Sequence, residues 1–151
     1  MLNYKIEDAT KKLSIARSLN KYNAPFKIVG EYKLIDNGII PEATVHIEAF
    51  DQIIHEASNG NGPVDALANV LRKALVPLFP EIKNVRLVDY QAKIMDAHRG
   101  TSTDVEVRII FTDGEELWEV YAMSENINFA SFRALADGFE YMILKKRDDI
   151  L

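Results

Sequence analysis

The same succession of hydrophobic periods occurs twice along this chain, and the two occurrences stand a constant 64 residues apart. In the first, Phe26, Ile28, Tyr32 and Leu34 alternate with other residues, as a half-buried strand requires, and Asp36-Asn37-Gly38 marks a tight turn. Further strands are expected over residues 43–50 and 53–57, ending in Gly60-Asn61-Gly62-Pro63. The period then becomes helical through Val64, Leu67, Ala68, Leu71, Ala74, Leu75 and Leu78, with Pro63 at a first helical position that needs no N–H and Pro77 and Pro80 stopping the helix. The second occurrence has strands at 86–96, 105–112 and 117–123, a turn at Asp113-Gly114, and a helix over 124–144 with Asn126 as N-cap. Phe26 falls on Tyr90, Val45 on Ile109, Gly60 on Ser124 and Leu71 on Leu135. This order predicts an α+β fold of two βββα units, residues 25–80 and 83–145, each an antiparallel three-stranded sheet covered by a helix.

Ahead of the units, Ile6, Ala9, Leu13, Ala16 and Leu19 share one narrow face, which predicts a linker helix over 4–22 within an N-terminal segment 1–24. Asn23-Ala24-Pro25 ends it. Residues 146–151 form a tail.

Composition narrows the function. The 151 residues are 48% hydrophobic and 27% charged, as expected of one globular domain. A net charge of −5 with dispersed Lys and Arg leaves no basic stripe for nucleic acid. The absence of cysteine removes disulfides and thiolate chemistry. No apolar run reaches the roughly 20 residues that span a membrane, and the N-terminus lacks a secretory core. A cytoplasmic protein is the expectation.

No self-contained active site is legible. His46 and His55 fall in expected strands and His98 near a turn, with no metal-motif spacing, so neither a metal nor a cofactor is expected. Glu115-Glu116 and Asp148-Asp149 read as solvated charge, and no phosphate loop or nucleophile elbow is present. What stands out is Gly60-Asn61-Gly62-Pro63, between a strand and a helix N-terminus. Its glycines and the open first-turn N–H groups suit a ligand carboxylate, although spacing alone favours the commoner tight turn with an N-cap. Ser124-Glu125-Asn126 reads as an ordinary cap. The last helix carries two apolar stripes, Ile127, Ala130, Ala134, Gly138 and Tyr141, and Phe129, Phe132, Ala136, Phe139 and Ile143. The second stripe is covered either by another chain, making Phe129, Phe132 and Phe139 a dimer interface, or by the N-terminal helix.

GNGPVDAL and LRKAL (60–75), LVDYQAKIMD (87–96), Gly100-Thr101 and W…SENI…AS..AL.D.FEY (118–141) resemble the C-terminal regulatory domain of citramalate synthase and α-isopropylmalate synthase. The likeness covers nearly the whole chain, and SENI is closer to the citramalate branch. The resemblance implies a homodimeric, non-catalytic domain of two βββα units. It would bind an end-product amino acid, isoleucine for citramalate synthases or leucine for isopropylmalate synthases, and so inhibit an acetyl-CoA-dependent condensation. A separate metal-dependent barrel, in cis or in trans, performs that condensation. By matching motif the effector site is Gly60, Asn61, Gly62 and Pro63 with Val64 and Ala66 near it and Asp89 and Tyr90 beside it, joined by Ser124, Glu125, Asn126 and Ile127. Glu119 and Ala122 depart from the pattern, which has glycines there. The competing readings are a dimerisation module that binds no effector and a small enzyme.

Overall fold

The computed structural model describes residues 5–95 and 104–150; Asp96, His98, Gly100 and Thr101 lie outside the described residues. In chain order the elements are β1 (Ile6–Asp8), α1 (Ala9–Arg17), β2 (Lys27–Ile28), β3 (Lys33–Ile35), β4 (Glu42–Ala49) and β5 (Gln52–Asn59). There follow α2 (Pro63–Leu75), a 3-10 turn (Pro80–Ile82), β6 (Arg86–Met95), β7 (Asp104–Thr112), β8 (Leu117–Ser124) and α3 (Ile127–Lys146). The fold is α+β, and the chain divides into two compact units.

The first unit, Asn23–Lys83, is built on β4. Its alternation buries Ala43, Val45, Ile47 and Ala49 on one face, and α2 packs there through Ala66, Leu67, Val70, Leu71 and Leu75. β5 pairs antiparallel with β4 along one side, from Glu42↔Asn59 to Ala49↔Gln52. The single strand expected near residues 26–36 is instead two short ones, β2 and β3, both antiparallel to β4. Gly30, at φ +69°, turns the chain between them, so the sheet has four strands rather than three. Phe50 and Asp51 form the two-residue β4–β5 turn with φ +52° and +60°. Left-handed backbone at both positions matches the twist of a hairpin, at a steric cost of about 1–2 kcal/mol for each non-glycine residue. Phe79 closes one end of the core between Phe26 and Phe50, with ring centroids 6.4 and 5.3 Å away.

The second unit, Met1–Tyr22 with Asn84–Leu151, holds a mixed sheet in the order β1-β8-β7-β6. β1 lies parallel to β8, Ile6 opposite Leu117 and Asp8 opposite Glu119. Over Ile6–Asp8 the linker segment is therefore a strand and not the helix expected there. The open edge of β8 presents backbone groups that need partners, and the chain supplies them before α1 begins at its N-cap, Asp8. Asp8 Oδ1 accepts from the Lys11 amide at 3.0 Å, and Thr10 Oγ1 accepts from the Tyr121 amide at 2.8 Å where β1 stops. In the β7–β8 turn, burial works to raise the Asp113 carboxyl, yet the amides of Glu116 and Glu115 and the Lys146 ammonium hold it below its usual range.

In both units an antiparallel hairpin precedes a helix, and the register Glu42↔Asn59 has its counterpart in Glu106↔Met123. The additional strands differ. Neither unit is a bare three-stranded sheet with one helix.

α3 is enclosed on more than one side. Against β7 and β8, Trp118 is fully buried, stacks on Phe111 with centroids 5.8 Å apart, and donates Nε1–H to the Gly138 carbonyl at 3.0 Å. A Cβ on Gly138 would overlap the Phe111 ring, which explains the glycine in mid-helix. α1 also packs on α3, through the fully buried Ala9 and Leu13. Consequently Phe139, in edge contact with Phe111, is 0% exposed, and Phe132 is 4% exposed. Of the two covers the stripe left open, another chain or this one, these two have theirs within the unit's own core. Phe129, at 43%, is the member that keeps open area.

Candidate functional site

The Gly60–Pro63 loop follows β5 directly and sits on the first turn of α2. The Gly60 amide donates to the Pro41 carbonyl at 3.1 Å. A Cβ on Gly60 would collide with the Ala66 amide nitrogen and lie 2.6 Å from Ala66 Cα and 2.7 Å from the Asp65 carbonyl carbon. Only glycine fits so close to helix backbone, so Gly60 is explained by packing. Gly62 differs. It is the N-cap, extended at φ −154°, and a Cβ there would meet nothing within 4 Å.

The N-terminus of α2 is consequently bare on that side. Gly62 has no side chain to cap it and Pro63 has no N–H, while the Ala66 amide is taken by the Gly62 carbonyl at 2.9 Å. The Val64 and Asp65 amides point along the positive end of the helix dipole, which favours an anion. Asp65 carries the opposite charge into the same turn, and its Oδ2 accepts from the Asn61 amide at 2.8 Å. Asn69 Nδ2 donates to the Asn59 carbonyl at 3.1 Å and steadies the loop from the next turn. Backbone donors and an exposed carboxylate thus lie within a few residues of each other, the pair of charges a zwitterion needs. Asp65 was absent from the expected site. Its signal was position, three residues beyond the N-cap, where an acidic side chain reaches back across the turn.

Asp89 and Tyr90 belong to the second unit, on β6. As consecutive strand residues they point to opposite faces, just beyond a bulge between Leu87 and Asp89. Asp89 accepts from Gln91 Nε2 at 3.2 Å. The Tyr90 hydroxyl is 2.8 Å from Ser131 Oγ, and Ser131 donates its own proton to the Ile127 carbonyl at 2.8 Å, so Tyr90 is the donor of the pair. Tyr90 is thereby tied to Ile127 at the head of α3. That helix is closed by its own cap. Asn126 Oδ1 accepts from the Asn128 and Phe129 amides at 2.9 and 3.1 Å, and Ser124 Oγ accepts from the Asn126 amide at 3.1 Å. Glu125 and Ile127 lie exposed beside it. The structure thus gathers Gly60, Asn61, Gly62, Pro63, Val64 and Ala66 in one loop and helix start, and Tyr90, Ser124, Asn126 and Ile127 around the other helix start. Glu119, where a glycine was expected, is engaged by Arg108 at 2.6 Å and by the Tyr121 hydroxyl at 3.0 Å.

Among the described residues no three or more His, Asp or Glu converge as a metal cluster, and no helix is long and apolar enough to cross a membrane. His46 and His55, unrelated by any sequence motif, are direct cross-strand partners.

The family of the LeuA allosteric (dimerisation) domain matches residues 5–143. The chain belongs to this family. As a LeuA-type domain it has a regulatory and dimerisation role. It is 36% identical over 146 residues to an (R)-citramalate synthase of Geobacter sulfurreducens, covering 93% of this chain and 28% of that protein. It is 41% identical over 108 residues to the (R)-citramalate synthase of Aquifex aeolicus, covering 72% of this chain and 20% of that one. A third (R)-citramalate synthase, from Synechocystis, is 40% identical over 99 residues, 66% of this chain and 18% of its own length. The LeuA-type domain therefore spans less than a third of each of these synthases.

Proposed function

We propose that this LeuA-type domain senses a branched-chain amino acid, isoleucine before leucine, and through it inhibits a citramalate synthase-type acyltransferase whose catalytic domain is joined to it in cis or in trans. The observation that carries the reading is the contrast between the two helix starts: α3 is capped by Asn126, whereas α2 is left open beside a glycine with free space in front of it. The ligand carboxylate would take the Val64 and Asp65 amides, its ammonium would meet Asp65, and its alkyl group would rest on apolar surface near Val64. The other unit offers a separate candidate position, where Tyr90, Ser124, Asn126 and Ile127 cluster at the start of α3. Inhibition then requires only that the effector bind one state of the assembled enzyme more tightly than the other.

Saturating isoleucine should raise the melting temperature of the chain by about 5–10 °C, with a smaller rise for leucine. Gly62→Val should remove the rise while leaving the unliganded melting temperature nearly unchanged, since its side chain enters the space assigned to the carboxylate. If isoleucine, leucine and valine all leave the transition where it is, the domain is a dimerisation module without an effector.

The dimerisation part of the proposal rests on Phe129, whose exposed ring carries Arg133 at 5.9 Å. Light scattering should give about twice the 17.1 kDa chain mass. Phe129→Glu should shift that mass toward the monomer without loss of helix signal. A parent protein that scatters as a monomer at every concentration would exclude self-association.

A further inference from the structure

His46 on β4 and His55 on β5 are opposite each other in the antiparallel register. Their rings are stacked, with centroids 4.1 Å apart and planes 16° from parallel. Both lie on the sheet face turned away from α2, His46 half-buried and His55 exposed, while the alternate residues Val45 and Ile47 face the core. The same face carries Thr44 and Glu48 on β4 and Ile53 and Ala57 on β5, with Lys27 of β2 opposite Glu48.

We propose that His46 and His55 form a two-imidazole chelating site for a borderline divalent transition-metal ion, of the Ni²⁺, Cu²⁺ or Zn²⁺ class. Such ions accept neutral imidazole nitrogen at about 2.0–2.1 Å, so two ligands on one ion need their nitrogens about 3 Å apart. The ring centroids, 4.1 Å apart, are within about 1 Å of that separation. A rotation about each Cβ–Cγ bond, a soft torsion on this partly exposed face, turns the two lone pairs from parallel toward convergent. Glu48 lies diagonal to His55, at a spacing long side chains bridge, and can accept a hydrogen bond from a water on the ion. Hard cations such as Mg²⁺ prefer oxygen ligands and gain nothing from the pair. The bound ion would clip β4 to β5 above a hairpin turn held in left-handed backbone at Phe50 and Asp51.

The test is calorimetric titration of the purified chain with NiCl2, ZnCl2 and MgCl2, paired with thermal melting. One nickel or zinc ion should bind per chain and raise the melting temperature by about 5–10 °C at a hundredfold excess over Kd, with no response to magnesium. His46→Gln and His55→Gln should each abolish the saturable heat and the melting shift, whereas His98→Gln should retain both. The proposal is overturned if the parent chain shows no saturable nickel or zinc binding. It is equally overturned if binding persists in either single variant or disappears in His98→Gln.

Discussion

Gly60→Ala should cost about 3 kcal/mol of folding stability, at the upper end of what overpacking exacts, because the added methyl meets backbone that cannot turn aside. The loop would have to lift off the first turn of α2, losing the bond from the Gly60 amide to the Pro41 carbonyl and moving the Asn61 amide away from Asp65. Gly62→Ala, two residues on in a superficially identical Asn-Gly pair, should cost less than about 1 kcal/mol, since its methyl points into empty space and only the N-cap preference changes. Urea unfolding of the two variants beside the parent reads the difference directly. Equal midpoints for Gly60→Ala and the parent would mean that the loop does not rest on the helix as described.

A second large effect is expected where α1 meets α3. Arg17 Nη2 contacts Asp137 Oδ1 at 2.7 Å and Glu140 Oε2 at 2.5 Å, and the Tyr22 hydroxyl donates to the same Glu140 oxygen at 2.6 Å. Glu140 is only 7% exposed, so it depends on these partners. Burial, then the bond to Glu140, pushes the Tyr22 phenol up, which keeps it a proton donor across the physiological range. Arg17→Ala leaves Glu140 nearly buried with a single neutral donor and should destabilise the second unit by about 2–3 kcal/mol. Arg17→Lys should recover only part, because one ammonium does not span two carboxylates as a guanidinium does. The lone tryptophan, Trp118, reports on that unit by fluorescence. An Arg17→Ala midpoint within about 0.5 kcal/mol of the parent would reduce the cluster to an ordinary surface ion pair.

Caps and hairpins were legible because their chemistry is local. Pro63 at the head of α2 and Asn126 as the cap of α3 need only their immediate neighbours to be recognised, and both stand where the sequence indicated. Ile6 fits the helical period of the residues after it, and what makes Ile6-Glu7-Asp8 a strand instead is an edge of β8 far along the chain. Gly30 looked like a member of a continuous strand, since the positive φ that breaks it leaves no trace in an alternating pattern. The burial of Phe132 and Phe139 rests on helix and sheet neighbours that the two-stripe pattern could not assign. At the candidate site, the loop itself was legible from its glycines, but the two glycines looked alike. Their division into one forced by packing and one facing open space depends on where α2 starts relative to β5. The pairing of His46 with His55 likewise exists only once the hairpin register is set.

The route of the chain through its own units has a kinetic consequence. Within this domain residues 5–22 are synthesised well before their sheet partner β8: Thr10 and Tyr121, which share a hydrogen bond, are 111 residues apart. Residues 23–83 form a complete sheet with its helix inside that interval. On a ribosome the middle of the chain can therefore finish folding while β1 and α1 are still waiting for β8. During that time Leu13 and Ala9 have no core to enter, and residues 5–22 are the part of the domain most open to proteases and chaperones.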